Sequence, residues 1–145
     1  MHPNVLTTDD EIRALLERTK RIAVLGIKTE AQADQPSFSV PQYLQDAGFE
    51  VVPVPVYYPE VTTILGQPVV RTLAAIEGAV DLVDVFRRSA DVKQHVADIL
   101  AKQPRAVWLQ LGIRDDVVAE QLAQAGIQVV QDRCILVEHR RLCTR

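Results

Sequence analysis

The residues best suited to chemistry sit in four short turns. In the first, Gly26-Ile27-Lys28-Thr29 leads through a polar loop to Pro36-Ser37-Phe38-Ser39-Val40. An ammonium, three hydroxyls and the free amides at a helix start could together hold an anion such as a phosphate. A dinucleotide fingerprint would read GxGxxG, and only its first glycine is present. The competing reading makes Gly26 a simple turn residue and Ser37 or Ser39 an ordinary helix cap.

The second turn, Val52-Pro53-Val54-Pro55-Val56, carries no acidic group where an NAD binder places one for the ribose. A pyridine dinucleotide is therefore disfavoured. The proline-stiffened apolar segment suits the face of an adenine, although proline is also a routine way to stop a strand. In the third turn, Phe86-Arg87-Arg88-Ser89 offers a stacking surface and two planar guanidinium forks that match phosphate. The alternative puts Phe86 in the core and both arginines in water, ahead of a helix capped by Ser89. The fourth, Trp108-Leu109-Gln110-Leu111-Gly112, places a glutamine inside a strand, where its amide needs partners and could brace a neighbouring loop. Val107, Leu109 and Leu111 should share one face, and Trp108 and Gln110 the other. Gly112 would let backbone approach an extended ligand.

Positioning these turns requires a regular frame, and the chain supplies one. Thr8 and Glu11 have the spacing of a capping box, with Ile12, Leu15 and Leu16 on one face of the following helix. Ile22 to Leu25 is a short apolar run suited to a strand buried on both sides. A helix from Ser37 or Ser39 to Gly48 would turn Val40, Tyr43, Leu44 and Ala47 inward. Strands follow at Glu50 to Val54, Asp81 to Phe86, Ala106 to Leu111 and Gln128 to Gln131. Helices follow at Asp91 to Lys102, with Val92, Val96, Ile99 and Leu100 inward, and at Asp115 to Ala125. Between Val61 and Leu73 a loop is expected, with one short strand near Pro68 to Arg71. This alternation predicts an α/β, Rossmann-like, doubly wound and mainly parallel sheet with helices on both faces. One domain is expected across 1–145: an N-terminal helix at about 8–20, a core at about 21–132 and a C-terminal segment 133–145.

With a net charge of −3 over 145 residues, nothing argues for nucleic acid or an anionic membrane, both of which call for clustered Lys and Arg. The start MHPNVLTTDDEIRALL has no targeting pattern, and no apolar run reaches the roughly 18 residues of a membrane span, so a cytoplasmic protein is expected. Cys134 and Cys143 lack metal-ligand spacing and are expected to be reduced thiols. Cys134 and His139 could form a nucleophile pair, since a thiolate needs a nearby base or cation, but structural or fortuitous placement of the thiol is the favoured reading. No metal site, acid/base pair or nucleophile elbow is legible.

Taken together, the single-glycine strand end, Pro36-Ser37-Phe38-Ser39-Val40, VPVP, LVDVFRRS, AVWLQLGIR and DRCILVEHRRL resemble the small stand-alone coenzyme A-binding proteins. These are similar to the N-terminal domain of the succinyl-CoA synthetase alpha subunit, and the likeness runs from about Thr8 to Leu142. It implies CoA or acyl-CoA at the carboxyl edge of the sheet. Gly26, Ile27, Lys28 and Thr29 with Ser37, Phe38, Ser39 and Val40 would hold phosphates. Pro53, Val54, Pro55, Phe86 and Arg87 would border adenosine, and Gly112 the pantetheine arm. Relatives commonly carry Arg just before Pro-Ser, where this chain has Gln35; Lys28 could substitute. The resemblance implies no catalytic residue here, because the synthetase's phosphorylated histidine belongs to a second domain. The expected function is thus non-catalytic CoA binding, sensing or presenting the cofactor. The alternatives are an NAD(P)-dependent oxidoreductase, or a protein-interaction domain with a vestigial nucleotide site. A protein partner or homodimer is left open.

Overall fold

The computed structural model describes residues 1–144. Helix α1 (Asp9–Arg18) opens with the expected capping box: the Thr8 hydroxyl accepts from the Glu11 amide while the Glu11 carboxylate accepts from the Thr8 amide. Its apolar stripe, Ile12, Leu15 and Leu16, is buried. Strands β1 (Arg21–Leu25) and β2 (Glu50–Val54) flank helix α2 (Pro36–Asp46). A two-stranded hairpin follows, β3 (Thr63–Ile64) with β4 (Gln67–Pro68). The second half runs β5 (Leu82–Val85), α3 (Ser89–Val92), α4 (Val96–Lys102), β6 (Ala106–Leu109), α5 (Asp116–Gln124), β7 (Gln128–Val130) and α6 (Ile135–Cys143).

Five strands form one all-parallel sheet in the order β2-β1-β5-β6-β7. Alternate residues feed opposite cores. Ala23, Leu25, Val83, Val85, Val107 and Leu109 pack against α4 and α5, while Ile22, Val24, Leu82 and Trp108 pack against α1, α2 and α6. The chain leaves β1 toward β2 and later returns to the other side of β1 as β5. Strand order therefore reverses between β1 and β5, and a crevice opens beyond their carboxyl ends.

Several expectations shift. Helix α2 begins at Pro36, with Gln35 as N-cap, so neither Ser37 nor Ser39 caps it; proline at the first helical position costs no hydrogen bond, because that amide is unsatisfied anyway. Ala47 is exposed at its end, just before the turn at Gly48. The expected helix from Asp91 begins earlier, at Ser89, with Arg88 as N-cap, and it tightens at Lys93–His95 before α4. Strand β6 ends at Leu109 because the chain turns there, so Leu111, expected on the same strand face as Val107 and Leu109, is 70% exposed. The loop after β2 contains a hairpin whose turn residues Leu65 and Gly66 both have positive φ, the backbone that matches strand twist. Val70 then donates to the Pro53 carbonyl and covers the edge of β2. The C-terminal segment is helix α6, packed against α1 and α2.

Candidate functional site

Gly26 marks the meeting of β1 and β5. Its φ is +88°, and a Cβ placed there would lie 2.5 Å from the Phe86 carbonyl oxygen. One glycine is therefore demanded by the approach of the two strand exits, where a dinucleotide fold would use three. Around this junction open two cavities.

The first, of about 600 Å³, lies between the N-terminus of α2, the β5 exit and the β6 turn. Lys28, Ser37, Val40, Phe86, Arg87 and Gly112 all line it, so six of the residues expected at the site share one wall system. Lys28 is held there by its side chain, whose Nζ donates to Gln35 Oε1 at 2.7 Å, and by its backbone, whose amide donates to the Ser37 carbonyl at 3.1 Å. Ser89 Oγ accepts from the Arg114 amide at 2.9 Å and lies 3.4 Å from the Gly112 carbonyl, tying the third turn to the fourth.

The second, of about 950 Å³, lies on the β2 side and is walled by Pro55, Tyr57, Tyr58, Arg71, His95 and Asp98 among others. Arg71 donates to the carbonyls of Tyr57, Tyr58, Pro59 and Val61 and so fixes the loop that follows β2. Arg87 separates the two cavities. Its Nε donates to His95 Nε2 at 3.2 Å, its Nη1 donates to the Tyr57 hydroxyl at 3.4 Å, and its guanidinium lies 5.7 Å from the Tyr57 ring centre. An imidazole accepting at Nε2 is neutral, and burial together with the Arg87 charge holds His95 below the usual histidine range. The Arg87 hydrogen bond likewise lowers Tyr57.

Other expected residues are placed differently. Ile27, Phe38 and Val54 are buried core side chains. Thr29 is buried, and its hydroxyl accepts from the Ala31 amide in a local cap. Ser39 is exposed and lines neither cavity. Pro53 faces a groove on the outer edge of β2 beside Pro68 and Val70, away from the crevice. Of Pro53, Val54 and Pro55, expected to border an adenosine, only Pro55 lines either of the two cavities. The Cys134–His139 pairing does not form: His139 Nδ1 meets the Tyr43 hydroxyl at 2.7 Å and its ring sits edge-on to Phe49.

Beneath the first cavity lies a buried polar group. Gln110 is the predicted brace, and its partners are Asp84 and the start of α6: Nε2 donates to Asp84 Oδ1 at 2.5 Å, and Oε1 accepts from the Ile135 amide at 3.4 Å. Asp84 is fully buried, its Oδ2 has no partner among the described residues, and burial pushes its carboxyl up to about 7. Sequence reading passed over Asp84 because a lone acid in LVDVF gives no sign of what covers it. Tyr57 and His95 were also missed, since only folding brings them to Arg87.

An open parallel sheet covered by helices on both faces, with a crevice at its switch point, defines a Rossmann-like α/β fold. The chain belongs to the CoA binding domain family, whose match covers residues 20–140. It is 36% identical to the uncharacterized protein YneT of Bacillus subtilis (strain 168) over 129 residues, 89% of this chain and 92% of that one. A solved structure from Thermus thermophilus, cell-free ID.343, is 40% identical with a TM-score of 0.85, covering 94% of this chain and 99% of that one. A hypothetical protein from Pyrococcus horikoshii OT3 is 28% identical with a TM-score of 0.83, covering 98% and 96%. Among the described residues no three metal-ligating side chains converge, and no helix is long and apolar enough to cross a membrane.

Proposed function

We propose that this chain binds coenzyme A, free or acylated, across the two cavities at the carboxyl edge of the sheet, and performs no covalent chemistry on the acyl group. The observation that carries this reading is the position of Arg87 and Lys28. Arg87 stands between the cavities, Lys28 lines the smaller one beside the start of α2, and both can meet a diphosphate at the middle of an extended ligand. The donor set fits the molecule. Pro55 and Tyr57 in the larger cavity offer apolar and aromatic faces to an adenine. The smaller cavity, with Val40, Ile113 and Gly112, has the apolar walls a pantetheine arm needs.

The protein's part is to bind and orient. Among the described residues no side chain in either cavity forms a nucleophile and base pair, and His95 is engaged by Arg87. A carrier or sensor of CoA follows from such a site. Titration calorimetry with CoA, dephospho-CoA and NAD tests the reading: CoA should bind, NAD should not, and equal heats for NAD and CoA would remove it.

A further inference from the structure

The Arg87 side chain is only 12% exposed, yet its charge is not cancelled. Both of its hydrogen-bond partners are neutral: the His95 imidazole accepts from Nε and the Tyr57 hydroxyl from Nη1. The nearest carboxylate, Asp91, has its Oδ2 at 3.8 Å from Nη2, and the same oxygen accepts from Arg88 Nε at 3.0 Å. Arg141 shows how this chain treats an arginine with a structural task. Its Nη1 and Nη2 donate to the two oxygens of Asp9 at 2.8 and 2.7 Å, and Glu138 accepts from it as well. Among the described residues no carboxylate hydrogen-bonds Arg87. Partners that orient a guanidinium without neutralising it leave its remaining Nη protons and its charge to an anion.

The neutral partners reach Arg87 from the far side. His95 and Tyr57 line the larger cavity, whereas Arg87 lines the smaller one. The fold puts His95 there by tightening the helical run at Lys93–His95, between α3 and α4, and such a turn inside a helical run often marks a functional constraint. Asp91 and His95, four residues apart, approach the same guanidinium. Asp98, the other acid that acts on His95, is occupied by the amides of Leu73 and Ala74. The imidazole therefore serves Arg87 as an acceptor, and burial together with the Arg87 charge keeps it neutral.

We infer that His95 is a positioning residue for the ligand's diphosphate: by accepting the Nε proton it fixes the Arg87 fork at the wall of the smaller cavity before ligand arrives, and it leaves the charge of that fork intact. The inference rests on the CoA reading above and adds a residue that acts through Arg87. A guanidinium already held in one orientation spares binding the cost of freezing a long side chain. The Tyr57 ring, 5.7 Å from the guanidinium, supports it from the same side as His95.

The test is a thermodynamic cycle. CoA affinity is measured by calorimetry at about pH 8, where imidazole is neutral, for wild type, His95→Leu, His95→Gln, Arg87→Ala and the variant carrying both His95→Leu and Arg87→Ala. His95→Leu should weaken CoA about fivefold, the size of one ordinary hydrogen bond. His95→Gln, whose amide oxygen can accept the same proton, should restore most of that loss. In the Arg87→Ala background His95→Leu should cost nothing further, because a residue that acts through Arg87 then has nothing to act on. Wild-type affinity in His95→Leu, a loss of equal size with and without Arg87, or a glutamine no better than leucine would overturn the positioning role alone. Unchanged affinity in Arg87→Ala would overturn it too, by taking Arg87 out of the site. If His95→Leu does not fold, exchange of the Arg87 Nε proton in the unsubstituted protein, read by NMR, decides: protection without ligand is expected, and fast exchange would overturn the inference. A wild-type protein that binds no CoA would overturn the CoA reading and this inference with it.

Discussion

Lys28 Nζ donates to Gln35 Oε1 at 2.7 Å, so the N-cap residue of α2 holds a neighbouring cation at the wall of the smaller cavity. A charge-assisted hydrogen bond fixes the ammonium beside the N-terminus of α2, where helix amides favour an anion. Lys28→Met should weaken CoA by about tenfold, the size expected for losing one charged contact. Gln35→Arg should strengthen it, by adding a planar fork at the same edge. Calorimetry with CoA checks both, and an unchanged affinity in Lys28→Met would place the diphosphate elsewhere.

Gly26 and Gly112 both have positive φ, +88° and +84°, but they differ in surroundings. A Cβ at Gly26 meets the Phe86 carbonyl at 2.5 Å, whereas one at Gly112 meets nothing within 4 Å. Gly26→Ala should lose more than about 2 kcal/mol of stability, and Gly112→Ala only about 1 kcal/mol from backbone strain alone. Urea unfolding separates them, and equal losses would mean that the strand exits part readily.

Asp84 gives a pH dependence whose sign follows from its environment. Burial raises its folded pKa to about 7, well above the usual carboxylate range near 4, so between those values the native state holds a proton that the unfolded chain has released. Its contribution is fully present below about pH 4 and is lost as pH rises through about 7. Asp84→Asn keeps the shape and the partner for Gln110 without the titration. Across pH 5 to 8 the variant's stability should fall less than wild type's, as read from urea midpoints, and parallel profiles would show that Asp84 is ionised throughout.

Arg87 both lines the smaller cavity and depresses His95. Arg87→Ala should weaken CoA and raise the His95 pKa toward its ordinary value, although burial, the larger cause, continues to hold it down. Imidazole NMR titration reads the second effect. An unmoved His95 resonance would mean that the Arg87 Nε contact does not persist in solution.

Much of this arrangement was legible in the chain because local rules and tertiary packing agree. The Thr8–Glu11 capping box and the apolar strand runs needed no long-range information. Helix α6 escaped because it breaks the amphipathic pattern: Glu138 is buried, kept there by Arg141 and Arg133, while Val137 is 52% exposed. Pro53 and Val54 were expected beside the ligand since strand ends face the crevice. Alternation instead turns Val54 into the core, and the β3–β4 hairpin folds against the side where Pro53 lies. Of the larger cavity only Pro55 could be read. Its wall residues Tyr57 and His95 both meet Arg87, through contacts that only the folded chain creates.

The most direct test is a crystal structure of the protein grown with CoA. The account predicts the diphosphate beside Lys28 and Arg87, adenine against Pro55 and Tyr57, and the thiol end in the smaller cavity. Density for CoA on another face, or none at saturating concentration with both cavities filled by the protein's own side chains, would contradict it.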